Sequence, residues 1–286
     1  MKDLRLLKNL FFFLLLGFSL CAIQACGDDD EKDETIEEPT IKDDEEEIVP
    51  STPKRLVQMI EEEYDEGDGL HIHTYQFDYD KNGKLASVTE YDTDGDVDDT
   101  YSISYTENSI TCVETDDKEE DYNGESENVT FRLLNGRINM AIEKHGSSLS
   151  YTHSYSYNSS NYLVKTKGEL GNMTFTWEGD KLMGGYKHVD KDNYAYSLEY
   201  DGKTCKGYNP VMVWMLASDI LYESDCFPVV VGPELAGFKT TQLPKSVKEG
   251  DETTNFTYEL YEDGYLKQCM AIEDDSYYEV YTFVWE

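Results

Sequence analysis

The sequence predicts an all-β protein: a large antiparallel meander of repeated hairpins that forms a curved or barrel-like sheet, with one short helical insert. Two observations predict this fold class. Apolar and aromatic residues alternate with polar ones in many short segments, such as residues 101–105 and 194–200, and this alternation is typical of strands with one packed face. Turn signals near residues 83, 109, 136, 160, 179 and 202 separate the segments.

The first element is a predicted lipoprotein signal peptide, residues 1–25. Three basic residues precede an apolar run over residues 10–23, and Ala25 stands directly before Cys26. This order is typical of export signals, and the run is shorter than the ~20 apolar residues that a membrane-spanning helix needs. We therefore expect cleavage before Cys26 and attachment of lipid to that cysteine. The alternative is an ordinary secretory signal that is cut elsewhere.

Residues 26–53 are predicted to be an acidic, disordered tether. Residues 27–49 contain 13 Asp or Glu, two Lys and no aromatic residue. Such a segment cannot bury enough apolar area to offset the entropy of ordering. Its first residues, 27–31, resemble the acidic export signal of Bacteroidetes surface lipoproteins. That resemblance implies a lipid-anchored protein on the outer face of the outer membrane, with the periplasmic face as the alternative.

Residues 54–286 are predicted to form a single β-meander domain built from a diffuse repeat. Each copy has an aromatic-rich strand, a turn, and a Leu or Ile soon after the turn, as around Gly83, Gly136 and Gly264. Asn-Gly and Asp-Gly between alternating runs are strong hairpin signals, because primed turns need positive φ. A unit of this kind buries its apolar face only by pairing with neighbouring units.

The charge of the folded part limits its partners. Residues 50–286 carry 19 Lys or Arg and 46 Asp or Glu, a formal charge of −27. A field of this sign repels phosphates, so we expect no nucleic-acid partner. The outward strand positions are mainly Thr, Ser, Glu, Asp and Lys, unlike the apolar band of a membrane-spanning barrel. We therefore expect membrane contact through the N-terminal lipid.

The repeat fails in an insert at about residues 206–250. Residues 211–221 are apolar around most of a helical turn, which predicts a short helix after Pro210, followed by a brief extended run over 227–231. The insert is predicted to plug or cap one end of the sheet. The alternative is that Trp214, Met215 and Phe227 line a ligand pocket, since binding sites favour apolar concavities.

Four cysteines remain after lipidation: Cys112, Cys205, Cys226 and Cys269. An even number outside the cytoplasm permits two disulfides with three connectivities. Cys205 and Cys226 flank the predicted helix and are the first candidate pair. The alternative is that the cysteines are buried free thiols, which behave as small apolar residues.

One acidic turn is a candidate site for calcium, the one cofactor that the sequence suggests. It places oxygens on alternate residues around Gly95, as a loop that wraps Ca²⁺ does. The candidate ligands are Glu90, Asp92, Asp94, Asp96 and Asp98. The alternative is an acidic hairpin turn without metal. His71 and His73 lie on one face of a strand, and they would need a third ligand to hold a transition metal.

Two family resemblances follow from these segments. Residues 77–92 resemble the YD repeat of large extracellular β-shell proteins. The whole chain, from signal through tether to hairpin meander, resembles a family of Bacteroidetes lipoproteins of unknown function that is described as porin-like in fold. The segment Leu243-Pro244-Lys245-Ser246 matches the end of an insert often found in that family. The resemblance implies a fold and a location but no catalytic residues.

No catalytic motif is found in the chain, so we expect no enzyme activity. The leading hypothesis is a cell-surface binding or adhesion module that presents some of its 23 Tyr residues to a glycan, a peptide or a protein. One alternative is a structural or accessory subunit of an envelope complex, in which the insert docks a partner. A less favoured one is a glycan hydrolase, which would need two converging carboxylates.

Overall fold

The computed structural model describes residues 53–67, 69–116, 127–145, 149–168, 171–189, 192–221, 227–274 and 276–286. The predicted signal peptide, Cys26 and nearly all of the predicted tether lie outside these residues. Their expected roles stay predictions.

The described residues form sixteen strands and three short helical segments. The strands of the first half are β1 (Leu56–Asp65), β2 (Gly69–Tyr79), β3 (Leu85–Tyr91), β4 (Val97–Tyr105), β5 (Ser109–Asp116), β6 (Glu127–Leu134), β7 (Arg137–His145) and β8 (Leu149–Tyr157). Those of the second half are β9 (Leu163–Gly168), β10 (Asn172–Glu178), β11 (Lys181–Val189), β12 (Asp192–Thr204), β13 (Gln242–Glu249), β14 (Glu252–Leu260), β15 (Leu266–Asp274) and β16 (Tyr277–Trp285). Between β12 and β13 lie α1 (Pro210–Leu221), α2 (Phe227–Val231) and a 3₁₀ turn (Pro233–Leu235).

The strands form one closed antiparallel barrel. Each strand pairs with its neighbours in the chain, and β1 pairs with β16 to close the sheet. At this seam Leu56 lies opposite Trp285, and the backbone groups of Arg55 and Glu286 exchange two hydrogen bonds. The predicted all-β meander is therefore confirmed, and its curved sheet is a closed barrel.

The interior of the barrel holds the apolar core. Along β2, Tyr75 and Phe77 are buried while Gln76 and Asp78 are exposed, as period-two alternation requires. Inward residues of most strands contribute apolar side chains in this way, and together they form one cluster of buried side chains inside the barrel. Burial of this apolar surface is the main driving force for closing the sheet.

The sequence repeat has a structural cause at one end of the barrel. An aromatic residue near the end of a strand donates a hydrogen bond to a backbone carbonyl near the start of the preceding strand. Six strand pairs share this arrangement: Tyr79 to Leu56, Tyr157 to Ile138, Trp177 to Leu163, Tyr200 to Leu182, Tyr258 to Pro244 and Trp285 to Leu266. The pairing register shifts beside several of these residues. Because a bulge leaves a ladder carbonyl unpaired, the aromatic donor satisfies it.

The insert folds into the interior of the barrel from this same end. Residues 205–241, which we call the plug, leave the sheet after β12 and return at β13. The ring of Trp214 lies 5.1 Å from that of Tyr75, and the ring of Phe227 lies 4.8 Å from that of Tyr101. The helix expected after Pro210 is present as α1. None of the described helices has both the length and the apolar character that a bilayer-crossing helix requires.

Three local expectations differ from the structure. Residues 227–231 form the helix α2 instead of an extended run, with Phe227 to Val230 buried in the core. Strand pairing resumes at Gln242, before the expected end of the insert, because Pro244 pairs with Tyr200 beside a register shift that tolerates a proline. The turn expected near residue 202 is an irregular point within β12, where Gly202 has a φ of 90°.

The outer surface of the barrel has an apolar sector. Seven outward residues from four adjacent strands form it, and we call them the outer strip: Ile60, Tyr64, Leu70, Ile72, Met270, Ile272 and Tyr278. At its centre the rings of Tyr64 and Tyr278 stack with centroids 5.2 Å apart. Leu70 is 44% exposed and Ile272 is 37% exposed. This sector is a local exception to the mainly polar outer face that the sequence predicts.

Candidate functional site

Inward-pointing acidic residues gather toward the end of the barrel opposite the plug entrance. We call them the inner acidic cluster: Glu61, Glu63, His73, Glu90, Asp98 and Glu279, with His73 as the basic member. Pairing sets their positions. Glu61 lies opposite His73 across β1 and β2, and Glu63 lies opposite Glu279 across β1 and β16. Cross-strand partners share one face of a sheet, so these side chains point to the same side.

Three members come together from three adjacent strands. The Nδ1 atom of His73 lies 2.8 Å from Oε1 of Glu90. One ligand atom from each of His73, Glu90 and Asp98 lies within 4.8 Å of the other two. The hydrogen bond with Glu90 raises the pKa of His73, because a carboxylate favours the protonated imidazole. The side chain of His73 is 35% exposed and that of Glu90 is 11% exposed.

Glu61 links this group to the plug. Its carboxylate accepts hydrogen bonds of 3.4 Å from the hydroxyl of Tyr75 and from Nε1 of Trp214. Burial of the carboxylate raises the pKa of Glu61 to about 7, and the charge of Glu279 adds to this effect. The plug therefore helps to hold the acidic residues of the inner wall in place.

Glu279 has a similar environment on the neighbouring strand. The hydroxyls of Tyr277 and Tyr281 donate to its two carboxylate oxygens at 2.5 and 2.7 Å. Burial nevertheless raises the pKa of Glu279, because desolvation disfavours the charged form. The inner cluster thus contains a carboxylate that costs folding free energy when it is ionised.

We expect Glu279→Gln to flatten the pH dependence of stability. A folded-state pKa above the unfolded value means that the folded protein binds the proton more tightly. Stability is therefore highest below the unfolded pKa and falls as pH rises toward the folded pKa. The variant removes this loss, so at pH 8 its Tm should exceed that of the native protein by at least about 2 °C. Thermal unfolding at pH 5 and pH 8 checks the difference, and equal slopes for both proteins would contradict it.

The candidate calcium ligands are not brought together as a set. Oδ1 of Asp92 accepts hydrogen bonds from the backbone N–H groups of Asp94 and Asp96, each at 3.0 Å, so it stabilises the turn itself. Among the described residues, only Glu90 and Asp98 of the five predicted ligands belong to a metal-compatible group. Calcium binding by this turn stays a prediction.

The candidate pocket residues lie together within the plug. Trp214 and Phe227 are buried, with ring centroids 5.9 Å apart, and Met215 packs against the core. Phe227 also contacts Tyr75 at 5.7 Å between centroids. This packing favours the plug interpretation, and a ligand pocket lined by these residues stays a prediction.

Only one cysteine of the predicted disulfide, Cys205, lies within the described residues. Cys205 carries a free, buried thiol whose Sγ lies 3.3 Å from the carbonyl oxygen of Tyr208. Burial raises the pKa of this thiol to about 12, so it is unreactive at neutral pH. Cys226 lies outside the described residues, and the Cys205–Cys226 pairing stays a prediction.

Sequence reasoning missed Glu61 and Glu279 as members of the site. Their signal was present in the alternation of β1 and β16, where Glu61 follows the inward Met59 and Glu279 precedes the inward Tyr281. A carboxylate on the apolar face of a strand is rarely buried without a partner. That mismatch points to a polar site inside the barrel.

By its architecture the chain is a closed antiparallel β-barrel of sixteen described strands. It is similar to a porin-like protein from Bacteroides uniformis ATCC 8492, whose crystal structure matches with a TM-score of 0.61 and 18% sequence identity over 82% of this chain and 98% of that one. The likeness at this identity is one of fold. No family model matches the sequence, and no curated protein matches it.

Proposed function

We propose that the protein is a non-enzymatic binding module of the cell surface, anchored in the outer membrane by lipid on Cys26, which takes a hydroxyl-rich ligand such as a glycan at the inner acidic cluster. The observation that supports this best is the division of the barrel interior. The plug fills the end from which it enters with apolar side chains, while carboxylates, an imidazole and tyrosine hydroxyls line the inner wall toward the other end.

The chemistry of the cluster suits a glycan. Carboxylates accept hydrogen bonds from hydroxyl groups and are stronger acceptors than neutral groups. The rings of His73 and Tyr75 stack with centroids 6.5 Å apart, which places aromatic rings beside the acceptors. A few polar groups next to aromatic rings are the usual composition of a small-ligand site.

Two other functions are less well supported. Large side chains of the plug, such as Phe227 and Phe238, are buried inside the barrel, which argues against an open, conducting pore. A formal charge of −27 on residues 50–286 argues against nucleic acid as a partner. We also propose that membrane contact is made through the lipid.

A glycan array probed with the mature chain tests the proposal, followed by calorimetric titration of the best ligand. Glu63→Gln should weaken binding by at least about tenfold, the cost of losing one charged hydrogen bond. Glu62→Gln is the matched control, because Glu62 lies on the outer face opposite Val280. This variant should bind the glycan normally. Absence of any glycan ligand, or equal weakening in the two variants, would contradict the proposal.

The outer strip favours a second candidate, an accessory subunit of an envelope complex. Apolar patches of this kind on soluble surfaces commonly mark protein interfaces. Because the plug packs inside the barrel, we place docking on the strip instead of on the insert. The high negative charge opposes pairing of two copies, so the proposed occupant is a different protein with an apolar face and a basic rim. The double variant Tyr64→Ser, Tyr278→Ser should abolish co-purification of this partner protein. If the chain instead forms a dimer that the two substitutions disrupt, the proposed partner is excluded.

A further inference from the structure

We infer that His73, Glu90 and Asp98 bind one divalent transition-metal ion of the zinc type. The three side chains belong to the inner acidic cluster and are brought together from β2, β3 and β4. Metal binding by them does not require that the cluster also bind a glycan. In the sequence these residues belong to two separate metal candidates, His73 beside His71 for a transition metal and the two acids in the acidic turn for calcium. The pairing of the strands joins them into one group.

The backbone explains how Asp98 reaches this group. In the ladder between β3 and β4, Glu90 lies opposite Asp99 and Tyr91 lies opposite Val97, with a register shift between the two pairs. Asp98 is therefore the extra residue of a bulge. Bulges turn a side chain away from its regular direction and are frequent beside functional sites. Here the bulge allows both Asp98 and Glu90 to approach His73.

The distances fit a metal after small movements. Zinc is held at roughly 2.0–2.2 Å by nitrogen and carboxylate oxygen, so tetrahedral donors lie ~3.4 Å apart. The His73 to Glu90 distance is 2.8 Å, and the atoms of all three residues lie within 4.8 Å of one another. A separation of 4.8 Å would have to shorten by about 1.4 Å, which a displacement of about 0.7 Å at each of the two donor atoms achieves.

The donor set indicates which metal is preferred. One imidazole with two carboxylates suits zinc and its neighbours in the first transition series, whereas calcium and magnesium prefer oxygen alone. Three protein donors leave a coordination position for water or a ligand, as in open zinc sites. The 35% exposure of the His73 side chain gives the ion a path to the site.

A separate observation supports a cation here. Glu61 adds a further carboxylate directly across the strand pair from His73. It is restrained by the indole of Trp214 and the hydroxyl of Tyr75 through two hydrogen bonds of 3.4 Å. Three carboxylates thus surround a single imidazole. Carboxylates behind a ligating histidine are the usual outer partners of metal sites and orient the ring.

The test uses the full mature chain without a polyhistidine tag, freed of metal by a chelator and titrated with ZnCl₂ by calorimetry. We expect one equivalent of Zn²⁺ to bind and Tm to rise with Zn²⁺ concentration. His73→Gln should weaken binding by at least about tenfold. His71→Gln is the matched control, because His71 is exposed and its loss should change nothing. The Co²⁺ form should show visible absorption that His73→Gln abolishes.

A second pair of variants covers the case in which His73→Gln does not fold. Asp98→Asn should weaken Zn²⁺ binding, while Asp94→Asn on the same turn should not. The inference is overturned if Zn²⁺ does not bind, if the His73 and His71 variants lose affinity equally, or if Asp94→Asn has the larger effect. A Tm increase with CaCl₂ but none with ZnCl₂ would also overturn it, since the cation would then belong to the acidic turn. None of these readouts depends on a glycan.

Discussion

Replacing Phe227 with alanine should lower the free energy of unfolding by about 3–5 kcal/mol, the range for removing a buried aromatic ring. Phe227 is 1% exposed. Its ring lies within 6.2 Å of the rings of Tyr75, Phe77, Tyr101 and Trp214. The substitution would leave a cavity where the plug meets the inner wall, and the surrounding strands are too constrained by their ladders to collapse into it.

Equilibrium unfolding in urea measures this effect, with Tyr186→Ala as the control. Tyr186 is 55% exposed on the outside of the barrel, so its loss should cost less than about 0.5 kcal/mol. The pair also separates the two interpretations of the insert. A pocket residue would mainly affect ligand binding, so a loss at Phe227 no larger than that at Tyr186 would contradict the plug interpretation.

Replacing Gly185 with alanine should cost about 3 kcal/mol or more, at the upper end of the effect of overpacking. A methyl group at this position would overlap the backbone oxygen of Thr174, and it would lie 2.7 Å from the hydroxyl of Tyr196. That hydroxyl donates to the same Thr174 oxygen at 3.1 Å. The ladders between β10, β11 and β12 would have to separate to make room.

Gly67→Ala is the control for this substitution. At Gly67 an added methyl group meets only the flexible carboxylate of Asp65, at 3.2 Å. Thermal and urea unfolding should show a normal Gly67 variant and a strongly destabilised Gly185 variant. Equal stability of the two would mean that β11 adjusts more readily than its register implies.

The sequence predicted the hairpins because local signals specify them. Glycines such as Gly83 and Gly136, with φ of 79° and 77°, mark turns that few other residues can form. Closure of the barrel could not be predicted in the same way, since it depends on pairing between β1 and β16 at opposite ends of the domain. The outer strip could not be predicted for the same reason. Its residues on β1 and β2 and those on β15 and β16 form one surface only because β1 pairs with β16.

The site was predicted in parts. His73, Glu90 and Asp98 were each singled out, but their grouping requires the register of β2, β3 and β4 and the bulge at Asp98. The pairing register of two strands cannot be read from the sequence alone. A shift of one residue would move every side chain of a strand to the opposite face of the sheet. Glu61 was missed because its signal, an acid two residues after the inward Met59, is recognisable only once the inward face of β1 is known.

The order of strands in the sheet has a consequence for how the molecule assembles. Strands that are neighbours in the barrel are also neighbours in the chain. Each hairpin can therefore form as soon as its second strand is available, because closing a short loop costs little conformational entropy. The exception is the seam, which must bring together the two most distant strands. Folding should therefore proceed rapidly to an open, curved sheet and finish with one slow step, the pairing of β1 with β16. The intermediate most prone to aggregation is this open sheet, because both of its edge strands are unpaired.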